Sequence, residues 1–373
     1  MFRIEPRKEP SRVMLYATPF VAVVLTVLSG FILFSLLGKD PVRATTLIFF
    51  TPLTSLYSLS EILVKATPLI LIAVGLALGF RANVWNIGAE GQFTFGALTG
   101  GAVALALYKV EGFWVLPLVC LAGAFGGMFW AAIPAMLRTR FNTNEILTSL
   151  MLVYVATLLL SVLVHGPLRD PEGQNFPESR LFHTAATMPN LIPETRAHMG
   201  FAVALLAVAI AWVLIRRHVT GFQIETFGQA PRAARFAGFS ENRLVWFSFL
   251  VSGGLAGLAG IFEATGPVGQ LVPALPVGYG FTAIIVAFLG RLHPVGALLA
   301  GLLLALTYIG GETAQIAMNL PASTTRVFQG LLLFFLLATD ISVNYRFRRL
   351  RSPITSSAAA ATDAPAAASG RGA

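Results

Sequence analysis

The chain has 373 residues, of which 56% are hydrophobic and 12% are charged, and its formal net charge is +9. Soluble domains carry about 25% charged residues, so this composition excludes a soluble fold and indicates a polytopic helical membrane protein. The positive charge does not indicate a nucleic-acid-binding protein, because the lysines and arginines cluster in short segments between apolar runs. We therefore expect a lipid bilayer, and no nucleic acid, as the surroundings of this chain.

Ten apolar segments approach or exceed the length needed to cross a bilayer. They are residues 15–37, 62–80, 87–107, 113–136, 146–165, 199–215, 244–262, 279–290, 294–311 and 325–340. The first is too long for the apolar core of a signal peptide, so we expect a retained helix. The eighth is short and begins among glycines and prolines, which predicts a broken span. Residues 44–60 contain Pro52 and many hydroxyl side chains, and we expect an interfacial helix there.

The distribution of basic residues predicts the orientation. With ten alternating spans and a cytoplasmic N-terminus, 18 of the 26 lysines and arginines fall on the cytoplasmic side and 8 outside. This bias follows the positive-inside rule. The sequence therefore predicts an all-α bundle of about ten transmembrane helices over residues 15–345, with both termini in the cytoplasm. We expect residues 1–14 to be a cytoplasmic segment and residues 346–373 to be a disordered cytoplasmic tail.

A polar, glycine-rich stretch, residues 81–101, covers the start of the third span. Each amide or carboxylate at bilayer depth costs about 2–3.5 kcal/mol unless it faces protein or water. Asn86, Glu90 and Gln92 therefore either line a solute path or brace the broken start of the helix, and the sequence leaves both interpretations open. Glycines spaced four residues apart, here and elsewhere in the chain, predict close helix crossings.

A second polar group opens the fifth span. Asn144, Glu145 and Thr148 lie at its start, with Thr148 on the same helix face as Asn144. Tyr154 lies deeper in the span, where its ring is suited to stacking on a base or a sugar. We predict that these residues line the solute path; the alternatives are a helix N-cap at Asn142 or Asn144 and a packing role for Tyr154.

Two loops are candidate contact surfaces for partner proteins. The outer loop, residues 166–198, is polar and rich in proline. In the cytoplasmic loop, residues 216–243, a proline at the first helical position and a glycine at a left-handed stop predict a helix over residues 231–237. The residues that we assign to a partner contact there are Gly228, Pro231, Arg232, Ala233, Ala234, Arg235, Ala237 and Gly238.

In the predicted cytoplasmic helix, Arg232 and Arg235 lie on one face. The alanines Ala233, Ala234 and Ala237 would form a smooth surface able to enter a groove in the partner. The alternative is a solvated basic loop that only fixes the topology.

The sequence contains no motif for energy conversion. It lacks the G-x-x-x-x-G-K-[ST] pattern of a phosphate-binding loop, and its five histidines show no metal-ligand spacing. We therefore expect neither an enzyme nor a cofactor or metal in this chain. Any active transport would draw its energy from another chain or from an ion gradient.

Three motifs resemble one protein family. They are F-R-A-N-V-W-N-I-G-A-E-G-Q at 80–92, N-T-N-E-I-L-T-S-L-M-L-V-Y at 142–154 and G-Q-A-P-R-A-A-R-F-A-G-F at 228–239. Together they resemble the permease subunits of bacterial ABC importers for nucleosides and simple sugars, within the branched-chain amino-acid permease superfamily. The similarity runs through most of residues 60–340.

The resemblance implies a subunit of the bacterial inner membrane with several partners. These are a second homologous permease, a cytoplasmic ABC ATPase that holds ATP and Mg²⁺, and an extracytoplasmic solute-binding protein or lipoprotein. Residues 228–239 would dock on the ATPase. The expected solute is a nucleoside, with a simple sugar as the alternative. A secondary transporter driven by an ion gradient is less favoured, because only Glu90 and Glu145 are near candidates for an intramembrane relay.

Overall fold

The computed structural model describes residues 2–6, 12–173 and 175–349, and its regular structure is almost entirely helical. The helices are α1 (Arg12–Leu36), α2 (Pro41–Phe49), α3 (Leu56–Arg81), α4 (Ala89–Ala106), α5 (Val115–Phe141), α6 (Glu145–His165), α7 (Gly200–Arg217), α8 (Val219–Gln229), α9 (Pro231–Phe236), α10 (Glu241–Glu263), α11 (Tyr279–Leu289), α12 (Pro294–Met318) and α13 (Ala322–Asn344). Two short strands, β1 (Phe2–Pro6) and β2 (Tyr345–Arg349), pair antiparallel.

Six helical segments in the described part are long and apolar enough to cross a membrane. They are α3, α5, α6, α7, α12 and the continuous segment Glu241–Val268, which extends α10 by a π-helical turn. Each of the ten apolar segments in the sequence overlaps a helix, so their helical character is confirmed. The number of ten spans stays a prediction, because α4 has a polar first turn and α11 has only 11 residues.

The structure corrects the sequence prediction around residues 44–60. Only the first part belongs to a separate helix, α2, whose N-terminus is capped by Asp40. A 3₁₀ turn, Thr51–Leu53, follows, and α3 begins at Leu56, six residues earlier than predicted. A hydroxyl in the added turns is satisfied within the helix, since Ser60 Oγ donates to the Tyr57 carbonyl at 2.7 Å. Lys65 lies inside α3.

The chain divides into two compact units. One holds the residues up to Leu25 and from Phe334 onward, and it includes the paired strands. Residues 346–349 thus form part of a strand where the sequence predicted a disordered tail, because their backbone groups bond to β1. The rest of that predicted tail, residues 350–373, lies outside the described residues. The second unit, Thr26–Leu333, contains all the sites discussed below.

The core of the larger unit is built around α3, which packs against α7, α10, α11 and α12. Beside it, α4, α5 and α10 cross at glycines. A β-carbon at Gly96 would lie 2.2 Å from the Gly257 Cα, and one at Gly127 would lie 2.1 Å from the Gly253 carbonyl oxygen. Larger residues would force these helices apart. The close crossings predicted from glycine spacing are therefore confirmed at Gly96, Gly253 and Gly257.

The segment between α10 and α11 is irregular, as the sequence predicted for the eighth span. After the π-helical turn Ala264–Val268, left-handed backbone occurs at Gly269 (φ +79°) and at Gly278 (φ +95°). Glycine adopts this conformation without the steric cost that a β-carbon adds. The second of these glycines directly precedes Tyr279, so α11 begins inside the larger unit with its N-terminal backbone groups directed at neighbouring helices.

Candidate functional site

Glu90 lies in the first turn of α4 and is only 2% exposed. Its carboxylate oxygens accept hydrogen bonds from two backbone N–H groups at the start of α11, those of Gly278 at 2.7 Å and of Gly280. The first N–H groups of a helix have no partner within the helix. Glu90 therefore caps α11, and the positive end of the helix dipole favours a negative charge at this point.

Asn86 and Gln92 form a reciprocal amide pair beside this cap. Asn86 Nδ2 donates to Gln92 Oε1 at 2.9 Å, and Gln92 Nε2 donates to Asn86 Oδ1 at 3.0 Å. Asn86 Nδ2 also donates to Ser252 Oγ of α10 at 2.8 Å. Both amides are buried and each of their polar atoms has a partner. We call Asn86, Glu90 and Gln92 with these partners the polar hub; its contacts favour the bracing interpretation, and lining of a path stays a prediction.

The polar residues at the start of α6 also bind backbone. Asn144 caps the helix, since its Oδ1 accepts from the N–H groups of Ile146 at 2.9 Å and Leu147 at 3.4 Å. Thr148 Oγ1 donates to the Asn144 carbonyl at 3.1 Å. The capping alternative for Asn144 is therefore confirmed. Tyr154 is exposed further along α6, away from these contacts, and its role in a path stays a prediction.

Four charged side chains connect helix ends on one side of the unit. Glu145 of α6 pairs with Arg138 at the end of α5. Arg138 also approaches Glu241 at the start of α10 at 3.5 Å, and Glu241 pairs with Arg235 of α9 at 2.7 Å. The sequence analysis assigned Arg235 to a partner contact, and it did not predict these pairs. Opposite charges at the ends of successive helices were the signal available for finding them.

The cytoplasmic loop of the sequence analysis contains two helices. The predicted helix is confirmed as α9, and Gly238 after it is left-handed with φ +81°. The preceding α8 was not predicted. Ala234 is buried against Ile224 and Leu244, so the prediction that it belongs to the free surface is wrong. Its position follows from geometry, because a six-residue helix lying on a core must bury one face.

The remaining surface of α9 faces away from this core. Pro231, Arg232, Ala233, Arg235, Ala237 and Gly238 are exposed. Phe236 is 93% exposed at the end of the helix, and the sequence analysis missed it. The sequence signal for Phe236 was an aromatic residue at the end of the predicted helix, two positions before Gly238. Gly228 of α8 is also exposed, and a β-carbon there would sit 1.8 Å from the Arg81 carbonyl oxygen, so this glycine seats α8 on the end of α3.

A second buried polar cluster joins α3, α10 and α11. Lys65 Nζ donates to the Tyr279 hydroxyl at 3.0 Å, and that hydroxyl donates to Glu263 Oε1 at 3.2 Å. On the same side, Arg196 Nε donates to Glu61 Oε1 at 2.9 Å. The sequence analysis did not predict these pairs, which join residues far apart in the chain. Among the described residues, no group of three histidine, cysteine or acidic side chains is placed to hold a metal ion.

His198 lies just before α7 and is buried. Its Nδ1 accepts a hydrogen bond from the Gly200 N–H at 3.2 Å, and its ring contacts Phe262 edge-on. Nε2 has no partner within the described part of the chain. Burial without a compensating charge disfavours the protonated form, which lowers the pKa of His198 to about 4.

Comparison with known proteins gives consistent matches. Residues 58–337 match the family model described as the permease component of branched-chain amino acid transport systems. A glucose ABC transporter permease protein of Haloferax volcanii is 38% identical over 92% of this chain and 93% of its own length. Two guanosine ABC transporter permease proteins of Bacillus subtilis are each 28% identical, over 89% and 64% of this chain and 96% and 77% of their own lengths. All three sequence motifs lie inside the matched range.

The bracing role of Glu90 is tested by two substitutions. Glu90→Ala leaves the buried Gly280 N–H and the half-buried Gly278 N–H unpaired; a buried unpaired group costs about 1–3 kcal/mol, and a half-buried one costs less. We expect it to lower the free energy of unfolding by about 2–4 kcal/mol and to be more destabilising than Glu90→Gln, which keeps one acceptor oxygen. Thermal unfolding in detergent measures both variants. The exposed acidic residue Glu172 provides the control Glu172→Ala. Wild-type stability in both Glu90 variants would contradict the bracing role.

The buried His198 predicts a pH dependence of stability. Its pKa is about 4 in the folded chain and about 6.5 when unfolded. Between these values the unfolded chain binds more protons, so stability present above pH 6.5 is lost as the pH falls toward 4. We expect a loss of about 3 kcal/mol across this window in unfolding measurements. His198→Asn, which keeps an acceptor for the Gly200 N–H, should flatten this dependence; an unchanged slope would contradict the assignment.

Proposed function

The chain belongs to the family of permease components of branched-chain amino acid transport systems, and on that premise we propose that it is the membrane-spanning subunit of an ATP-driven importer for a small polar solute. The family match confirms the resemblance drawn from the three motifs. The observation that carries the proposal is α9, a short helix that presents Arg232 and Phe236 outward from a rigid seat. Such a helix is suited to receive force from a partner.

The seat of α9 explains how a displacement there reaches the membrane helices. Ala234 of α9 belongs to one buried apolar cluster with Ile224 of α8, Leu244 of α10, Ala135 of α5 and Val84 after α3. Packed interiors have few voids and transmit strain. A push on α9 therefore moves the ends of three long helices together. When ATP binds to the ATPase, the ATPase contacts one of two conformations of this chain more favourably than the other. That difference shifts the population toward the favoured conformation.

We assign the remaining components to other chains. ATP and Mg²⁺ bind a cytoplasmic ABC ATPase, and this chain catalyses no covalent reaction. A second homologous permease completes the path, as the two permease proteins named for guanosine in Bacillus subtilis suggest. An extracytoplasmic solute-binding protein or lipoprotein docks on the outer loop, residues 166–198. The proposed topology is about ten spans in the bacterial inner membrane with both termini in the cytoplasm.

The proposed solute is a nucleoside. Support comes from the guanosine named for relatives at 28% identity and from the motif at 142–154. A simple sugar is the second candidate, because the relative at 38% identity is named for glucose. The two solutes share a ring with neighbouring hydroxyl groups. Uptake of labelled guanosine and of labelled glucose by the assembled complex separates the candidates.

The proposed orientation is tested by thiol labelling. Cys120 is the single native cysteine, so Cys120→Ser provides a background without thiols. In spheroplasts, a membrane-impermeant maleimide should label Glu172→Cys in the outer loop at once and Arg232→Cys only after permeabilisation. Labelling of Arg232→Cys in intact spheroplasts would place α9 outside the cell and overturn the proposed function.

The docking role of α9 is tested by charge reversal. Arg232→Glu places a negative charge on the exposed face, and we expect at least about a tenfold loss of solute uptake and of ATPase that copurifies with the chain. The protein should remain in the membrane at wild-type levels. Arg43→Glu, an equal charge reversal at an exposed site in α2 and outside the outer loop, serves as the control. Unchanged uptake in Arg232→Glu would contradict the docking role.

A further inference from the structure

The four charged residues at the helix ends form a continuous row of alternating charge. Starting from α9, the row runs Arg235, Glu241, Arg138 and Glu145, and its pairs are those described above. Glu145 Oε1 also accepts a hydrogen bond from the Trp85 N–H at 3.4 Å. The row therefore starts on the exposed helix and ends at the turn between α3 and α4, next to Asn86 of the polar hub.

Exposure falls steadily along this row. The exposed fraction of the side chain is 63% for Arg235, 34% for Glu241, 19% for Arg138 and 14% for Glu145. Exposed ion pairs are weak because water and salt screen them, and screening decreases as the charges become buried. The inner pairs are therefore the stronger ones, and the outer pair is the one that a docking partner most easily rearranges.

The central arginine has a geometry that suits it to hold two acids. One guanidinium nitrogen of Arg138 contacts Glu145 on α6, and the other approaches Glu241 on α10. A guanidinium carries five N–H donors in a planar fork, whereas a lysine ammonium acts as a point charge. Arg138 thus bridges the starts of two helices from the end of a third.

The same charges are also favourable at their own helix ends. Arg138 lies in the last turn of α5, and Glu145 and Glu241 lie in the first turns of α6 and α10. Each charge is stabilised by the dipole of its own helix. The pairs can therefore separate and re-form without unfolding the helices, which is what a conformational relay requires.

We propose that Arg138 is a positioning residue that transmits the movement of α9 to α6 and to the start of α4, by linking Glu241 to Glu145. The apolar seat of α9 reaches α3, α5 and α10 through packing, and this row adds the connection to α6. The inference rests on the proposed function, since it specifies how force from the ATPase is distributed. A partner that displaces Arg235 from Glu241 leaves that carboxylate free to draw Arg138 away from Glu145.

The test is the ratio of solute taken up to ATP hydrolysed by the complete complex in proteoliposomes. The probes are labelled guanosine and labelled glucose, measured in parallel. We expect Arg138→Gln to lower this ratio at least about fivefold, the lower end of typical coupling between sites. The complex should assemble and hydrolyse ATP. Arg140→Gln is the matched control, because Arg140 lies in the same last turn of α5, is exposed, and belongs to none of the pairs described here.

A purely structural role for Arg138 would lower uptake and hydrolysis together. A ratio equal to that of Arg140→Gln would therefore overturn the inference. If Arg138→Gln lowers the thermal midpoint of the complex, the ratio is measured on Glu241→Gln instead, because the Glu241 side chain is a third exposed. A lowered ratio in that variant supports the inference, and a ratio equal to that of Arg140→Gln overturns it. The inference fails alone if Arg232→Glu abolishes uptake while these variants keep the wild-type ratio. It fails together with the proposed function if Arg232→Glu has no effect.

Discussion

The buried carboxylate of Glu90 holds the starts of α4 and α11 against each other. Glu90 lies in the first turn of α4 and caps α11, so one side chain satisfies backbone groups at the start of a helix whose N-cap, Gly278, lies 188 residues later. Glu90 is buried, and a backbone N–H group that loses its partner at a buried point costs about 1–3 kcal/mol. This contact stabilises the irregular segment before α11, because it gives the Gly278 and Gly280 N–H groups a partner.

The polar hub extends this contact to the rest of the bundle. Asn86 joins Gln92 of α4 to Ser252 of α10, and Ser149 of α6 accepts a hydrogen bond from the Ile87 N–H at 3.2 Å. The glycines around the hub allow these approaches. A β-carbon at Gly280 would lie 2.3 Å from the Glu90 backbone nitrogen. Small and polar residues therefore act together here. The glycines let the helix backbones approach closely, and this closeness brings the polar side chains within hydrogen-bonding distance of their partners.

Local features were predictable from the sequence because local chemistry determines them. Runs of apolar residues predicted the helices, and Pro231 with Gly238 predicted α9, since both signals act within a few residues. Contacts between distant residues were not predictable. Lys65 and Tyr279 are separated by 214 positions, and no periodic pattern relates them. The sequence showed that Glu90 needed a partner, but one chain alone could not show that the partner was the backbone of α11.

The cytoplasmic segment shows where a local prediction ends. The helix, its proline and its glycine stop follow from the sequence, whereas the direction of each face depends on the core beneath it. Ala234 was assigned to the surface because alanine is small, and it is buried for the same reason, since it lets α9 lie close to α8 and α10. Phe236 was overlooked although it is the largest exposed side chain of this helix.

The exposed ring of Phe236 has a consequence for the assembly of the subunit with its ATPase. On the proposed topology, a subunit without its ATPase leaves this apolar ring in water, and docking would remove the ring from water and so contribute to the affinity between the two subunits. Assembly would hide this ring. The contact proposed to transmit force would then also hold the assembled complex together.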